Sequence, residues 1–186
     1  LVANDALTGH LGALAGGWGV SLIVGTGIAC VGVGSAGGAA PVVVDGYGYL
    51  LGDLGSAYWI GRHAVRAVLD DEVLGRPPTA LTRAVLQHLG PLDGLPYRLH
   101  ASGTAVADLA ALAPAVADLA GEDPTALDVL ERAARHLSAT AARAAGLLGT
   151  DDTVPVALGG RVLAPGGWLA DRVSALLVAQ PVAVAV

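Results

Sequence analysis

Apolar positions along this chain alternate between two spacings. Residues 4–15 read as a helix: Leu7, Leu11 and Leu14 fall on one face, and Asn4 or Asp5 can cap the start. After the break GGWG, the run VSLIVGTG (20–27) is apolar almost throughout, as in a buried strand entering a tight glycine turn. IACVGVG (28–34) reads as its hairpin partner, GSAGGAAP as a loop, and PVVVDG (41–46) as a third short strand. Helical spacing returns in SAYWIGRHAVRAVLDDE (56–72), with Ile60, Ala64, Val68 and Leu69 inward and Arg62 and Arg66 outward. TALTRAVLQHLG (79–90), GTAVADLAALAPAVADLAG (103–121) and DPTALDVLERAARHLSATAARAAGLLG (123–149) each repeat apolar residues at three- and four-residue steps. Thr79 after Pro78 is a good N-cap, and Gly121 ends one helix before Asp123 starts the next. VPVALGG (154–160) is a strand running into a double glycine, followed by the helix WLADRVSALLV (168–178). The pattern predicts an α/β lobe: a small, glycine-punctuated mixed sheet with Ala-rich helices, without internal repeat or domain boundary.

Composition narrows the function. With 186 residues, 54% hydrophobic and 14% charged, the chain can bury a sizeable core. A net charge of -6 argues against non-specific nucleic-acid binding, which needs a basic face. Cys30, the single cysteine, can form neither an internal disulfide nor a Cys-rich metal site, and its apolar run suggests a small buried side chain. No run reaches the roughly 18 apolar residues of a membrane span. The start, LVANDALTGH, lacks the basic region of a secretory signal, so a cytoplasmic location is expected. It also lacks an initiator Met, so we expect the chain to begin inside a longer protein.

Three glycine turns follow strands: Gly25-Thr26-Gly27, Gly46-Tyr47-Gly48 and Gly159-Gly160. Such turns let backbone N–H groups approach an anion, and a threonine hydroxyl adds a donor for phosphate. Taken singly, each is equally a plain hairpin turn or a site of tight packing. None is a Gly-Lys-Ser/Thr phosphate loop, since the chain has no Lys. Asp5 and Asp53 are the acids best placed for chemistry, and both have a structural alternative as helix caps. For Asp53 that role would serve the helix beginning near Ser56, which can cap itself. His63, His88, His100 and His136 are scattered without metal-ligand spacing and suit surface or core roles. There is no G-x-S-x-G elbow, which disfavours a serine hydrolase.

Taken in order, the pieces make a series. Asn4-Asp5-Ala6 opens a helix, a strand ends in Gly25-Thr26-Gly27, Gly46-Tyr47-Gly48 precedes GDLGSAYWIGRHAVRAVLDD, then come GRPPTALTRAVLQHLG and a late strand with Gly159-Gly160. Over essentially its whole length this resembles the N-acetylglucosamine kinase family. That family stands with the BadF/BadG/BcrA/BcrD-type ATPases in the superfamily of sugar kinases, actin and the heat-shock chaperone ATPases. The resemblance implies an RNase-H-like lobe of the actin-like ATPase fold, with Mg-ATP as phosphate donor and no metal ligand among residues 1–186. By motif, Asp5 is the general base on the sugar hydroxyl. Gly25, Thr26 and Gly27 hold the β- and γ-phosphates, and Gly159 and Gly160 lie against the adenosine end. Asn4, Ile28, Ala29, Gly46, Tyr47, Gly48 and Asp53 fall at sugar-side positions. The sequence departs from the pattern at Ile28, where Ser is usual, and at Ala29, Leu54 (usually Glu) and Tyr47 (often Trp). No segment resembles the first phosphate loop, so residues 1–186 are expected to be the C-terminal lobe of a two-lobed enzyme.

Three activities follow as expectations. The first is a kinase that phosphorylates an amino sugar, N-acetylglucosamine to its 6-phosphate, with the sugar as its small-molecule partner and a homodimer through the Ala-rich helices. The second is a lobe that binds sugar or nucleotide without turnover, or only dimerises. The third is the activator ATPase of a 2-hydroxyacyl-CoA dehydratase, which Cys30 alone disfavours because such proteins hold an iron–sulfur cluster on cysteines.

Overall fold

The computed structural model describes residues 5–15, 17–35 and 40–186, without the side chains of residues 5–8. Asn4 and half of the loop GSAGGAAP lie outside the described residues, as does the side chain of Asp5. Helix α1 runs Asp5–Ala13. Strands β1 (Gly19–Val24) and β2 (Ile28–Val33) form the expected antiparallel hairpin, with Val24 opposite Ile28 at its closed end. Strand β3 (Val42–Val44) adds antiparallel to β2, and β4 (Val154–Gly159) lies parallel to β1. A short β5 (Val184–Ala185), not foreseen because its tail reads only as a Pro-interrupted apolar run, pairs parallel with β4. The sheet order is β3-β2-β1-β4-β5. This mixed α/β topology is the RNase-H-like lobe expected from the sequence.

Strand β1 shows why its apolar run is nearly continuous. Alternate side chains face opposite sides of the sheet. Val20, Leu22 and Val24 are wholly buried in the helical layer's core. Ser21 and Ile23 face α1, where Ser21 Oγ bonds His10 Nδ1 at 3.0 Å. His10 is fully buried, and its Nε2 has no partner among the described residues.

The helical layer consists of α2 (Ala57–Val73), α3 (Ala80–Leu89), α4 (Leu95–Ala101), α5 (Ala105–Ala110), α6 (Ala113–Asp118), α7 (Pro124–Leu147) and α8 (Trp168–Val178). Ile60, Ala64 and Val68 of α2 point inward, as predicted, while Leu69 is half-buried. Helix α7 packs on β1, β2 and β3, and its alanines Ala133, Ala141 and Ala144 are all at 0% exposure; the Ala144 backbone lies close against Gly32 of β2. Thr79 caps α3 in a reciprocal capping box with Thr82. Asp123 caps α7 through Thr125 and Ala126 N–H, and its other oxygen accepts the Leu81 N–H at 2.8 Å. One carboxylate therefore joins the starts of two helices.

One expectation fails. Residues 103–121 do not form a single helix but break between α5 and α6. Pro114 sits in the first turn of α6; it has no N–H to give to a preceding turn, and its ring clashes with a continuing helix. The resulting corner forms part of the site described next. Helix α4 was also missed, because the short segment after Gly90 carries too few apolar repeats to show a period.

Candidate functional site

The parallel pairing of β1 with β4 brings two of the predicted glycine turns to the same end of the sheet. Ile23 is level with Gly159, so Gly25-Thr26-Gly27 and Gly160 leave the carboxyl ends of adjacent strands. Such strand ends are where open α/β sheets bind ligands. Gly160 has φ +90°, and a Cβ there would overlap the Val24 carbonyl, so only glycine allows this approach. From Gly160 the chain enters a single 3-10 turn, Arg161–Leu163.

Beneath these turns lies a cavity of about 450 Å³. Gly25 and Thr26 line one side, Arg161 and Val162 another, and the broken α5–α6 corner closes it with Ala107, Ala110, Ala113 and Pro114. The side chains of the wall are mostly apolar. Thr26 is exposed at the turn's tip, and Arg161 is the one charged side chain that lines the cavity among the described residues. The helix α2 start is occupied by the same turn: Ala57 N–H donates to Gly25 O at 2.9 Å and Tyr58 N–H to Thr26 O at 3.3 Å. Those N–H groups are committed to the turn, so they are not free for an anion.

The third turn belongs to a loop clamped at both ends by Asp45, a residue that sequence reasoning passed over. Its Oδ1 accepts N–H bonds from Gly46 (2.7 Å) and Asp53 (3.0 Å), and its Oδ2 accepts one from Leu54 (3.3 Å). The Asp-Gly pair closing PVVVDG is the signal that could have found it. Asp45 and Asp53 both take the left-handed backbone, at φ 63° and 56°. This conformation is uncommon outside glycine and most accessible to Asn and Asp.

Asp53 does not cap α2; Ser56 does, accepting the Trp59 N–H at 3.2 Å. Asp53 instead turns inward, 7% exposed, and its Oδ1 accepts the Ile28 N–H at 3.1 Å. It thereby ties the loop to the start of β2, next to the Gly25–Gly27 turn. Gly27 makes room for it, since a Cβ there would stand 2.7 Å from Asp53 Oδ2. That Oδ2 has no hydrogen-bond partner among the described residues. Burial raises the carboxyl above its ordinary value and the neighbouring Asp45 charge adds to this, while the Ile28 N–H opposes them.

The remaining predicted residues lie on the loop, on β2 and on helices. Tyr47 is 74% exposed on the loop, between Gly46 and Gly48. Ile28 gives its side chain to the core, and Ala29, half-buried, lies on β2. Asp5 begins α1, which packs against β1, β2 and β4. Cys30 is buried, and that burial pushes its thiol up to about 12. His63 stacks on Trp59 with 3.7 Å between ring centroids, and His136 meets the same indole edge-on. No group of three or more potential metal ligands occurs among the described residues. No described helix is long and apolar enough to cross a membrane.

Among solved structures, the chain is similar to a candidate N-acetylglucosamine kinase from Chromobacterium violaceum. The two share 28% identity and a TM-score of 0.73, over 94% of this chain and 56% of that one. A second candidate N-acetylglucosamine kinase, from Porphyromonas gingivalis, matches at 21% identity and a TM-score of 0.72, over 95% of this chain and 58% of its own. The fold is that of a sugar-kinase lobe. The chain spans less than two thirds of either kinase's length, and the second likeness speaks for the fold alone. No family model matches the chain, and no curated protein does.

Proposed function

We propose that this chain is one lobe of an ATP-dependent kinase that phosphorylates an amino sugar, N-acetylglucosamine at its 6-hydroxyl. The observation that carries the reading is the convergence of Gly25-Thr26-Gly27 and Gly159-Gly160 at one sheet end, above an apolar cavity. The likeness to the candidate N-acetylglucosamine kinase from Chromobacterium violaceum supports it. The cavity takes the nucleoside, and the Thr26 hydroxyl with its flanking glycines meets the β- and γ-phosphates. Asp53 Oδ2 and the loop from Gly46 to Gly48 face the sugar, beside Ile28 and Ala29. The Asp5 carboxylate accepts the proton of the 6-hydroxyl as its oxygen attacks the γ-phosphorus, and ADP leaves in line.

The described side chains gather no ligand cage for Mg²⁺. A Mg²⁺ ion brought with ATP would supply neutralisation of phosphate charge. The whole protein is placed in the cytoplasm, with a homodimer through the Ala-rich helices as a further part of this proposal.

The test is ATP-dependent phosphorylation of N-acetylglucosamine by the full-length protein and its Asp5→Asn variant. The variant should lose roughly 10²–10⁴-fold in rate while retaining sugar affinity. An unchanged rate removes Asp5 from the mechanism. A second reading, binding without turnover, is favoured by Ile28 and Ala29, which bring no polar side chain to the sugar side. It predicts nucleotide binding with no phosphorylated product.

A further inference from the structure

The cavity lining includes a cation without a partner among the described residues. Of the chain's arginines, Arg66, Arg76, Arg132, Arg135 and Arg172 have carboxylate partners. Arg98 is spent on the carbonyls of Leu89, Pro91 and Asp93. Arg161 makes neither an ion pair nor a side-chain hydrogen bond among the described residues, although the chain carries a net charge of -6. Arg62, Arg83 and Arg143 also lack such partners, but they do not line the cavity.

Its position is held from both sides. Gly160, at φ +90°, presses the chain against the end of β1. Leu163, 2% exposed, anchors the far end of the turn in the core. Between them Arg161 is exposed to solvent while still lining an otherwise apolar space. A guanidinium so placed costs little to keep hydrated when the cavity is empty. It gains charge-assisted hydrogen bonds when an anion is brought beside the apolar wall.

We propose that Arg161 binds the phosphate chain of a nucleotide whose base and ribose occupy the cavity, so that this site selects nucleotides over nucleosides. This rests on the nucleotide reading of the cavity given above. The division of labour follows from the lining. Small apolar side chains from α5 and α6 accept a flat apolar body of any charge, so they cannot tell ADP from adenosine, whereas Arg161 can.

The test is calorimetric titration of the full-length protein with ADP and with adenosine, comparing wild type, Arg161→Gln and Arg161→Lys. In Arg161→Gln, ADP affinity should fall about tenfold or more. Adenosine affinity should hold within about twofold, because no charged group of that ligand meets the arginine. Arg161→Lys should recover part of the loss, and the ionic-strength dependence of ADP binding should flatten in Arg161→Gln. Equal ADP affinity in wild type and Arg161→Gln overturns the proposal while leaving the nucleotide site intact. So does an equal loss for both ligands, which would mark Arg161 as a packing residue. If wild type binds neither ligand, the nucleotide reading and this inference fall together.

Discussion

Asp53 offers a substitution pair in which structure and chemistry separate. Its Oδ1 holds the Ile28 N–H, its backbone sits at φ 56°, and its Oδ2 has no hydrogen-bond partner among the described residues. Asp53→Ala strands a buried N–H, at about 1–3 kcal/mol. It also puts alanine in the left-handed region, at about 1–2 kcal/mol. The sum is about 3 kcal/mol, or roughly 6–12 °C in melting temperature for a chain of this size. Asp53→Asn keeps an oxygen for Ile28, tolerates the backbone, and removes a charge that both burial and Asp45 disfavour. It should melt within about 2 °C of wild type at neutral pH. In the same variant Oδ2 becomes a donor group, so sugar affinity should fall about tenfold, the value of a charge-assisted hydrogen bond.

The pH dependence has a definite sign. The native carboxyl sits above its ordinary 3.8, so the native state holds its proton to higher pH than the unfolded chain does. Its contribution to stability is complete below 3.8 and is lost as pH rises through the native value. Asp53→Asn should therefore gain on wild type as pH rises above 3.8 toward neutral. Thermal melts across that range, with sugar titrations of the same three proteins, decide the matter. Equal melting of Asp53→Ala and Asp53→Asn would refute the reasoning, because it would show that the Ile28 bond and the backbone geometry carry no weight.

Two further outcomes follow from single atoms. Gly160→Ala drives a Cβ into the Val24 carbonyl at a positive φ, so it should lower stability by about 2–4 kcal/mol in urea titrations and abolish nucleotide binding; a wild-type midpoint would mean that β1 and β4 part freely. Asp123→Asn keeps the cap on α7 but turns an amide donor toward the Leu81 N–H, so a loss of about 1.5–3 kcal/mol is expected, read from the urea midpoint. Burial by itself pushes the Asp123 carboxyl up, yet bonds from Leu81, Thr79, Ala126 and Thr125 hold it below 3.8, so its contribution is complete above 3.8 and is lost as pH falls through the native value.

Much of the frame was legible because local rules act on neighbouring residues. The β1–β2 hairpin shows in two apolar runs around Gly25-Thr26-Gly27, and the α3 and α7 starts show in Thr79 and Asp123. Helix spacing in residues 56–72 named Ile60, Ala64 and Val68 of the buried face of α2, while Leu69 is only half-buried. The failure at residues 103–121 was one of weight: an Ala-rich period outvoted Pro114, although a single missing N–H is enough to break a helix. Asp53 was recognised as significant, but its partner lies 25 residues away, and no periodicity reports that.

The candidate site divides along the same line. The sequence by itself determined which turns can take a positive φ, where several helices begin, and that the chain carries Thr26, Asp53 and paired glycines in its turns. Only the tertiary structure decided that β4 lies parallel to β1, which sets Gly160 against Val24 and makes one site of turns far apart in the chain. It alone showed Asp45 clamping the loop, Asp53 bound to Ile28, and Arg161 as the charge lining an apolar cavity. The physical reason is range. Caps, turns and periods depend on backbone geometry within a few residues, whereas cavities, shared hydrogen bonds and unpaired charges depend on which strands come to lie side by side.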